Sequence, residues 1–325
     1  MWALLFAGSA VCAECHASIA ARQRVSHHAQ ALRPVTATDL AARFSEHPLR
    51  ERGGAEFLYE PAPGGVKAVV QLGPARAEML LEWAFGAGAQ GVTPVGRHEG
   101  RWVEHRISYF TGPRRPSRTV GHPGAPSAEA GAALGLVQDA ATIARCFGCH
   151  AARVRPGPDL SQMEPGVTCE RCHGPGQAHV EAARAKRGAG ELARTVLNGG
   201  RFTAKASVEI CAECHRLAPA DTVRSAMPEV EDPVSVRFQP IGLMASRCFQ
   251  RSAKLACVNC HDPHENAAPR EGGYYTAKCL ECHASGGRPA RRCRRAAREN
   301  CVACHMEQTS PLMYLRFTDH RIRVL

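Results

Sequence analysis

Cysteine and histidine recur in this 325-residue chain as the five-residue pattern Cys-x-x-Cys-His, which occurs seven times. The copies use 14 of the 16 cysteines and 7 of the 16 histidines. Two thiols three positions apart can add across two vinyl groups of a porphyrin, and the following imidazole can then bind the iron. The pattern therefore predicts seven covalently attached c-type haems. The predicted thioether cysteines are Cys12, Cys15, Cys146, Cys149, Cys169, Cys172, Cys211, Cys214, Cys257, Cys260, Cys279, Cys282, Cys301 and Cys304, and the predicted proximal ligands are His16, His150, His173, His215, His261, His283 and His305.

Two other chemistries use paired cysteines. Zinc sites of the Cys₄ or Cys₂His₂ type contain Cys-x-x-Cys pairs, but they do not require a histidine directly after the second cysteine. A thioredoxin-like redox centre uses one such pair and not seven. Haem attachment is the interpretation that explains all seven copies.

Each iron also needs a ligand on its distal side, and nine histidines lie outside the motifs. His264 is three residues after the proximal His261, a span of at most about 10 Å, which is too short to pass round the porphyrin. His264 is therefore predicted to bind a neighbouring haem, and His179, six residues after His173, is predicted to do the same. The other strong candidates are His28, His122 and His320, and the weaker ones are His98, His105, His27 and His47. The five strong candidates, with one or two of the four weaker ones, would make six or seven irons six-coordinate. One open iron therefore remains an alternative.

The motifs are unevenly spaced along the chain. The first is separated from the second by 129 residues, whereas the other six fall within residues 146–305 at steps of 23, 42, 46, 22 and 22. Short alternating apolar runs between about 50 and 120 predict a small β-rich insertion, with a hairpin turn at 97–101. We therefore expect an N-terminal segment with one haem (1–48), a haem-poor β-rich insertion (49–140) and a six-haem array (141–325).

The composition predicts a fold with little regular structure. The chain has 30 glycines, 22 prolines and only 6% aromatic residues. Such a chain buries little apolar side-chain surface, so we expect a mostly irregular or α-helical multihaem fold whose core is built largely of stacked haems.

The formal net charge of +11 could indicate nucleic acid as a partner. Each haem, however, brings two propionate carboxylates, which would neutralise much of the arginine excess by paired contacts. We therefore expect no nucleic-acid binding. The run at 291–298 is dense enough in arginine to dock a partner, although a solvated helix face is the simpler interpretation.

Haem is attached covalently outside the cytoplasm, so the sequence predicts an exported, periplasmic or extracellular protein. The apolar start at 1–10 lacks a basic segment and runs directly into Cys12, which suggests a truncated signal peptide. Cys248 and Cys293 remain outside the motifs, and in an oxidising compartment a disulfide and two buried thiols are equally consistent with them.

The motif contexts resemble the cytochrome c-554 family of multihaem cytochromes. The first motif is followed by Ser26-His27-His28-Ala29, where that family has a distal ligand, which corresponds to His28. The resemblance covers most of the haem-bearing sequence and is thin over 40–140; its other segments are 166–176 with His179, 246–249, 257–264, 301–306 and 317–322. It implies electron transfer by closely packed, mostly bis-histidine haems. The family's namesake carries four haems and this chain has seven motifs, so the count itself departs from the pattern.

These observations favour an electron carrier over an enzyme, with redox proteins as donor and acceptor and a peripheral contact with a membrane quinol oxidase as one arrangement. Two alternatives stay open. One is an oxidoreductase that acts on a small nitrogen or sulfur compound such as nitrite, hydroxylamine or tetrathionate at one five-coordinate haem. The other is a subunit of an oligomer or cytochrome filament.

Overall fold

The computed structural model describes residues 5–46, 49–153, 160, 162–215, 230–267, 273–283 and 300–323. They fall into two compact units, Met1–Leu197 and Asn198–Leu325. His47, Cys293 and the arginine run at 291–298 lie outside the described residues, so the predictions made for them are not addressed here. The division by haem content at residues 48 and 140 likewise remains a prediction.

A ten-stranded antiparallel sheet dominates the first unit. Its main path runs β10-β7-β6-β5-β4-β3-β2, with β1 paired to β5 and with β8 paired to both β6 and β9. The strands are β1 Leu32–Pro34, β2 Leu49–Arg50, β3 Ala55–Ala62, β4 Gly65–Leu72, β5 Ala75–Phe85, β6 Gly91–His98, β7 Arg101–His105, β8 Ile107–Phe110, β9 Arg115–Arg118 and β10 Gly135–Val137. A separate two-stranded ladder joins β11 Ala151–Ala152 to β12 Glu164–Pro165.

Local sequence explains the long hairpins of this sheet. Along β3, Ala55, Phe57 and Tyr59 are buried while Leu58 between them is exposed, the alternation of a strand with one face in the core. The predicted hairpin at 97–101 is confirmed, because His98 pairs with Arg101 across Glu99 and Gly100. Both turn residues have positive φ, 49° and 76°, which is the geometry of a type I′ turn and favours glycine at the second position.

The sheet has a side-chain core of its own. Phe44, Phe57, Leu81, Ile107 and Leu134 are all fully buried in one hydrophobic cluster. A second cluster on the sheet contains Leu32 and Val95 together with Ile143 and Phe147 of the helix that carries the second motif. The sheet therefore packs against a haem motif and does not need a haem for its own core.

This arrangement bears on two expectations, the extent of the β region and the amount of regular structure. The β region is larger than an insertion at 50–120, since its strands run from Leu32 to Val137. The described residues also carry a ten-stranded sheet and 13 helices, so the expectation of little regular structure is not confirmed. Whether haems stack in the core remains a prediction.

Short helices carry the motifs in both units. In the first unit these helices are α1 Ser9–Ala13, α2 Ala17–Arg24, α3 Leu40–Ser45, α4 Ala130–Ala133, α5 Ala140–His150, α6 Cys169–His173, α7 Gln177–Arg184 and α8 Ala189–Leu192. The second unit has α9 Ala204–His215, α10 Gln239–Ala245, α11 Arg247–Arg251, α12 Tyr274–His283 and α13 Cys301–His305, with a hairpin of β13 Gln308–Leu312 and β14 Leu315–Thr318. Five of these helices end on the histidine of a motif. No described helix has the length and apolar content required to cross a membrane.

One histidine is part of the sheet core. The Nδ1–H of His105 donates to the Leu134 carbonyl at 2.8 Å, and its Nε2 lies 3.0 Å from the Tyr59 hydroxyl. Burial lowers the pKa of His105 to about 3. The ring is therefore neutral in the folded protein, and the hydrogen bonds occupy both of its nitrogens.

We expect this ring to make the sheet sensitive to acid. The pKa of His105 is lower in the folded state than its ordinary value of 6.5, so the unfolded chain binds the proton more tightly. The free energy of unfolding should then fall by about 1.4 kcal/mol per pH unit as the pH drops from 6.5 towards 3. Guanidinium unfolding followed by circular dichroism should show that His105→Gln removes this slope, whereas His98→Gln, at the exposed hairpin, keeps it. Equal slopes in the two variants would contradict the prediction.

Candidate haem sites

The first motif docks onto the third, although the two are far apart in sequence. Glu170 lies between the cysteines of the third motif and is 5% exposed. Its carboxylate accepts hydrogen bonds from the backbone N–H groups of Ala7 at 2.8 Å, Gly8 at 2.9 Å and Gly176 at 2.7 Å. The carboxylate thus joins the segment that leads into α1 to the loop that follows α6. The separation of the first motif is a feature of the sequence and not of the fold.

Their cysteines are in contact as well. The thiols of Cys12 and Cys169, the first cysteines of the two motifs, are hydrogen-bonded. Burial and the neighbouring Cys169 raise the pKa of Cys12 to about 11. The two attachment points thus lie side by side.

An imidazole from the third motif's helix pair lies opposite the proximal histidine of the first. The ring centroids of His16 and His179 are 6.4 Å apart, and the ring planes differ by 19°. The Nδ1 of His179 is 3.3 Å from the Leu192 carbonyl and 3.2 Å from the Thr195 hydroxyl. These contacts at Nδ1 leave Nε2 as the nitrogen for a metal.

The second motif is held by the sheet. Phe147, between its two cysteines, is fully buried and makes edge contacts with Trp83, Phe85 and Trp102 at centroid distances of 5.8, 5.1 and 5.7 Å. The Nδ1–H of His150 donates to the Ala31 carbonyl at 3.0 Å. Burial lowers the pKa of His150, which favours the neutral imidazole that binds iron.

The third motif follows a segment that packs on the first helix pair. The Val167 N–H donates to the His28 carbonyl at 2.8 Å, and the side-chain amide of Gln23 donates to the Val167 carbonyl at 2.7 Å. The Nδ1–H of His173 donates to the Leu197 carbonyl at 2.8 Å. His28, the candidate from the Ser-x-His-Ala segment, is therefore close in the fold to the third motif.

The fourth and fifth motifs are neighbours in the second unit. The thiols of Cys211 and Cys257, their first cysteines, are hydrogen-bonded; this bond raises the pKa of Cys211 and lowers that of Cys257. The Nδ1 of His215 is 3.1 Å from the side-chain oxygen of Gln239 on α10.

The fifth motif also has an imidazole opposite its proximal histidine. The ring centroids of His261 and His320 are 6.2 Å apart, with 38° between the planes. The Nδ1–H of His320 donates to the Thr318 carbonyl at 2.9 Å. Burial lowers the pKa of His320, so this ring too favours the neutral form.

The sixth and seventh motifs form a third neighbouring pair. Burial and the adjacent Cys301 raise the pKa of Cys279 to about 11, and the two thiols are hydrogen-bonded. The Cys301 N–H donates to the Thr276 hydroxyl at 3.2 Å, which fixes the start of α13 against α12. The Nδ1–H of His305 donates to the Arg323 carbonyl at 2.7 Å.

Comparison with known proteins relates part of the sequence to a family and the fold to a solved structure. Residues 122–174, which contain the second and third motifs, match the family model described as cytochrome c554 and c-prime. The fold is similar to that in the crystal structure of the outer cell wall cytochrome OcwA, with a TM-score of 0.56 over 98% of this chain and 80% of that chain at 13% identity. Over residues 122–174 the sequence is similar to that cytochrome family, and the fold as a whole is that of a multihaem cytochrome. No curated protein sequence matches it significantly.

The centroid spacing of two histidine pairs in this protein is compatible with a haem iron between the rings. Two imidazoles on opposite sides of one metal, each bound at about 2 Å, have centroids roughly 6.2 Å apart when a ring nitrogen is about 1.1 Å from its centroid. His16–His179 and His261–His320 match this spacing at 6.4 and 6.2 Å. Within the described ranges, no three His, Cys, Asp or Glu side chains converge as a directly bound metal ion would need.

The remaining candidate histidines lie at different places in the protein. His122 is buried, with Nε2 3.3 Å from the Glu104 carboxylate and with no hydrogen bond at Nδ1 among the described residues. His98 is at the β6–β7 hairpin, where its Nδ1–H donates to the Glu78 carbonyl at 2.7 Å. His105 is enclosed in the sheet core with both nitrogens engaged, which argues against a role for it as an iron ligand. His27 is exposed.

Sequence reasoning missed the groups that hold the histidines. Most of these are backbone carbonyls, of Ala31, Leu197, Thr318 and Arg323, for which a sequence contains no signal. Glu170 did offer one, because it is a carboxylate in a variable position inside a motif. Its role depends on N–H groups that approach from residues 7 and 8, more than 160 positions earlier.

We expect Glu170→Gln to loosen the docking of the first motif. A carboxamide cannot accept all three N–H groups, and each hydrogen bond to a charged group contributes about 1.5–3 kcal/mol. The free energy of unfolding of the holoprotein should fall by about 2–3 kcal/mol. Glu14→Gln is the matched control, because Glu14 pairs with Arg184 on the surface, where both side chains are more than half exposed, and should cost less than about 1 kcal/mol. Equal effects of the two substitutions in guanidinium unfolding would contradict this role.

Proposed function

We propose that this cytochrome carries seven covalent haems and transfers electrons through them as a protein located outside the cytoplasm. The observation that carries the proposal is the contact between motifs. The first cysteines of three motif pairs touch: Cys12 with Cys169, Cys211 with Cys257, and Cys279 with Cys301. Since each cysteine marks one edge of a porphyrin, these contacts favour haems held in neighbouring pairs.

Histidine pairing supports ligation of two irons from both sides. We assign His179 as the distal ligand opposite His16, and His320 as the distal ligand opposite His261. Both assignments cross between segments, because His179 follows the third motif while His16 belongs to the first. His28, His122 and His264 remain the proposed distal ligands for other irons.

The protein's part in the chemistry is orientation and protonation. Haem, when bound, supplies an iron that cycles between ferric and ferrous states. The carbonyls of Ala31, Leu197 and Arg323 accept the Nδ1 protons of His150, His173 and His305, which selects the tautomer whose Nε2 lone pair would bind iron. Burial keeps His150 and His320 neutral.

The site of action is proposed from the chemistry and from the structural neighbour. Covalent haem attachment takes place outside the cytoplasm, and the neighbour OcwA is described as an outer cell wall cytochrome. We propose a periplasmic or extracellular location, with redox proteins as donor and acceptor.

The mass and the spin state of the purified cytochrome test this function. Intact mass should show seven attached haems, and fewer would contradict the count. Electron paramagnetic resonance of the oxidised protein should show low-spin iron that does not respond to nitrite, hydroxylamine or cyanide. A substantial high-spin signal that responds to nitrite or hydroxylamine would overturn the carrier assignment in favour of an enzyme.

Removal of a distal ligand should change one haem only. We expect His179→Ala and His320→Ala each to convert about one-seventh of the low-spin iron to high-spin iron, because each removes one axial nitrogen. His98→Ala is the matched control and should leave the spectrum unchanged, since this ring belongs to the β6–β7 hairpin. An unchanged spectrum in His179→Ala would remove the assignment to the first haem.

A further inference from the structure

The loop after the fifth motif places a carboxylate on a candidate ligand. Asp262 directly follows the proximal His261, and its Oδ1 accepts the backbone N–H of His264 at 3.0 Å. The same oxygen lies 2.9 Å from Nδ1 of the His264 ring. Pro263, between the two, has a fixed φ and so limits the freedom of this short turn. The contact therefore favours one tautomer of the neutral ring, with the proton on Nδ1 and the lone pair on Nε2.

The acceptor at Nδ1 of this ring differs in charge from the acceptors at Nδ1 of the other rings described above. The Nδ1 protons of His150, His173, His305 and His320 meet neutral backbone carbonyls. The Nδ1 of His215 meets a neutral amide. That of His264 meets a carboxylate whose side chain is 30% exposed, so the charge is only partly screened by water.

An anionic acceptor changes the ligand that it holds. It draws the Nδ1 proton away from the ring, and the imidazole gains imidazolate character and becomes a stronger donor at Nε2. A stronger donor stabilises ferric over ferrous iron, as does the negative charge itself. Hydrogen bonding to an axial ligand is one of the levers by which a protein sets a haem potential.

We propose that Asp262 lowers the reduction potential of the haem to which His264 binds. The inference rests on the proposed function, because it requires His264 to be an iron ligand. Asp262 is then a positioning residue that acts through His264. The competing interpretation is a surface ion pair between a protonated His264 and Asp262 with no iron involved.

Redox titration of the holoprotein, followed optically and by electron paramagnetic resonance, tests the proposal with Asp262→Asn. We expect one haem of the seven to become easier to reduce, with its reduction equilibrium constant raised on the order of tenfold, which is about 59 mV for one electron. The low-spin signal of that haem should shift as well. Glu265→Gln is the charge control: it removes a carboxylate one residue from His264 but leaves the Asp262 contact, and its shift should be less than half as large.

Asp262→Ser guards against failed assembly, because serine can still cap the His264 N–H without a charge. It should give an upward shift in the same haem. Wild-type potentials in both Asp262 variants, or a shift matched by Glu265→Gln, would overturn the proposal.

His264→Ala separates this inference from the proposed function. A new high-spin signal in this variant supports ligation by His264, and with unchanged potentials in the Asp262 variants it would overturn the tuning role alone. Absence of a high-spin signal would overturn the ligand assignment and the tuning role together.

Discussion

A histidine that binds iron must be neutral with a lone pair on one ring nitrogen, and in at least four of the seven motifs the protein holds the other nitrogen of that ring. This requirement explains why so many backbone carbonyls lie against the motif histidines. A five-residue helix such as α6 or α13 has too few internal hydrogen bonds to be stable alone. Its histidine is instead anchored from outside, at Leu197 for His173 and at Arg323 for His305. Segments without motifs therefore determine where the motifs lie.

The β sheet serves this requirement for the second motif. Its side-chain core is complete without a cofactor, and Trp83, Phe85 and Trp102 form the surface that receives Phe147. The phenylalanine occupies a variable position of the motif, so the attachment points and the hydrophobic anchor share one helical turn. A region without Cys-x-x-Cys-His motifs thus orients the haem site next to it.

The sequence predicted attachment chemistry better than architecture. The spacing of Cys-x-x-Cys-His is set by the dimensions of the porphyrin, so the pattern can be recognised in the sequence wherever it occurs. The hairpin at Glu99-Gly100 could also be predicted from the sequence, because few residues tolerate the backbone conformation of a type I′ turn. The local sequence does not indicate strand β5, because its segment Ala75–Phe85 is rich in Ala, Glu, Met and Leu, which favour helices. It is a strand because β4 and β6 pair along both of its edges, and such pairing is a tertiary effect. The docking of Glu170 was hidden because its three partners are backbone groups.

The long sequence separation between the first motif and the later ones has a smaller cost in loop-closure entropy than its length suggests. Closing a loop of about 157 residues between Cys12 and Cys169 would cost roughly 4.5 kcal/mol in chain entropy. The sheet forms largely from local hairpins, and both β1 and β10 belong to it, so the chain enters and leaves the same folded element. Only about 50 residues outside the sheet then remain to be closed, which reduces the cost by about 1 kcal/mol. The three hydrogen bonds to Glu170 therefore have to offset only the reduced entropic cost of closing this loop. In this way the sheet lowers the entropic cost of bringing the first and third motifs together.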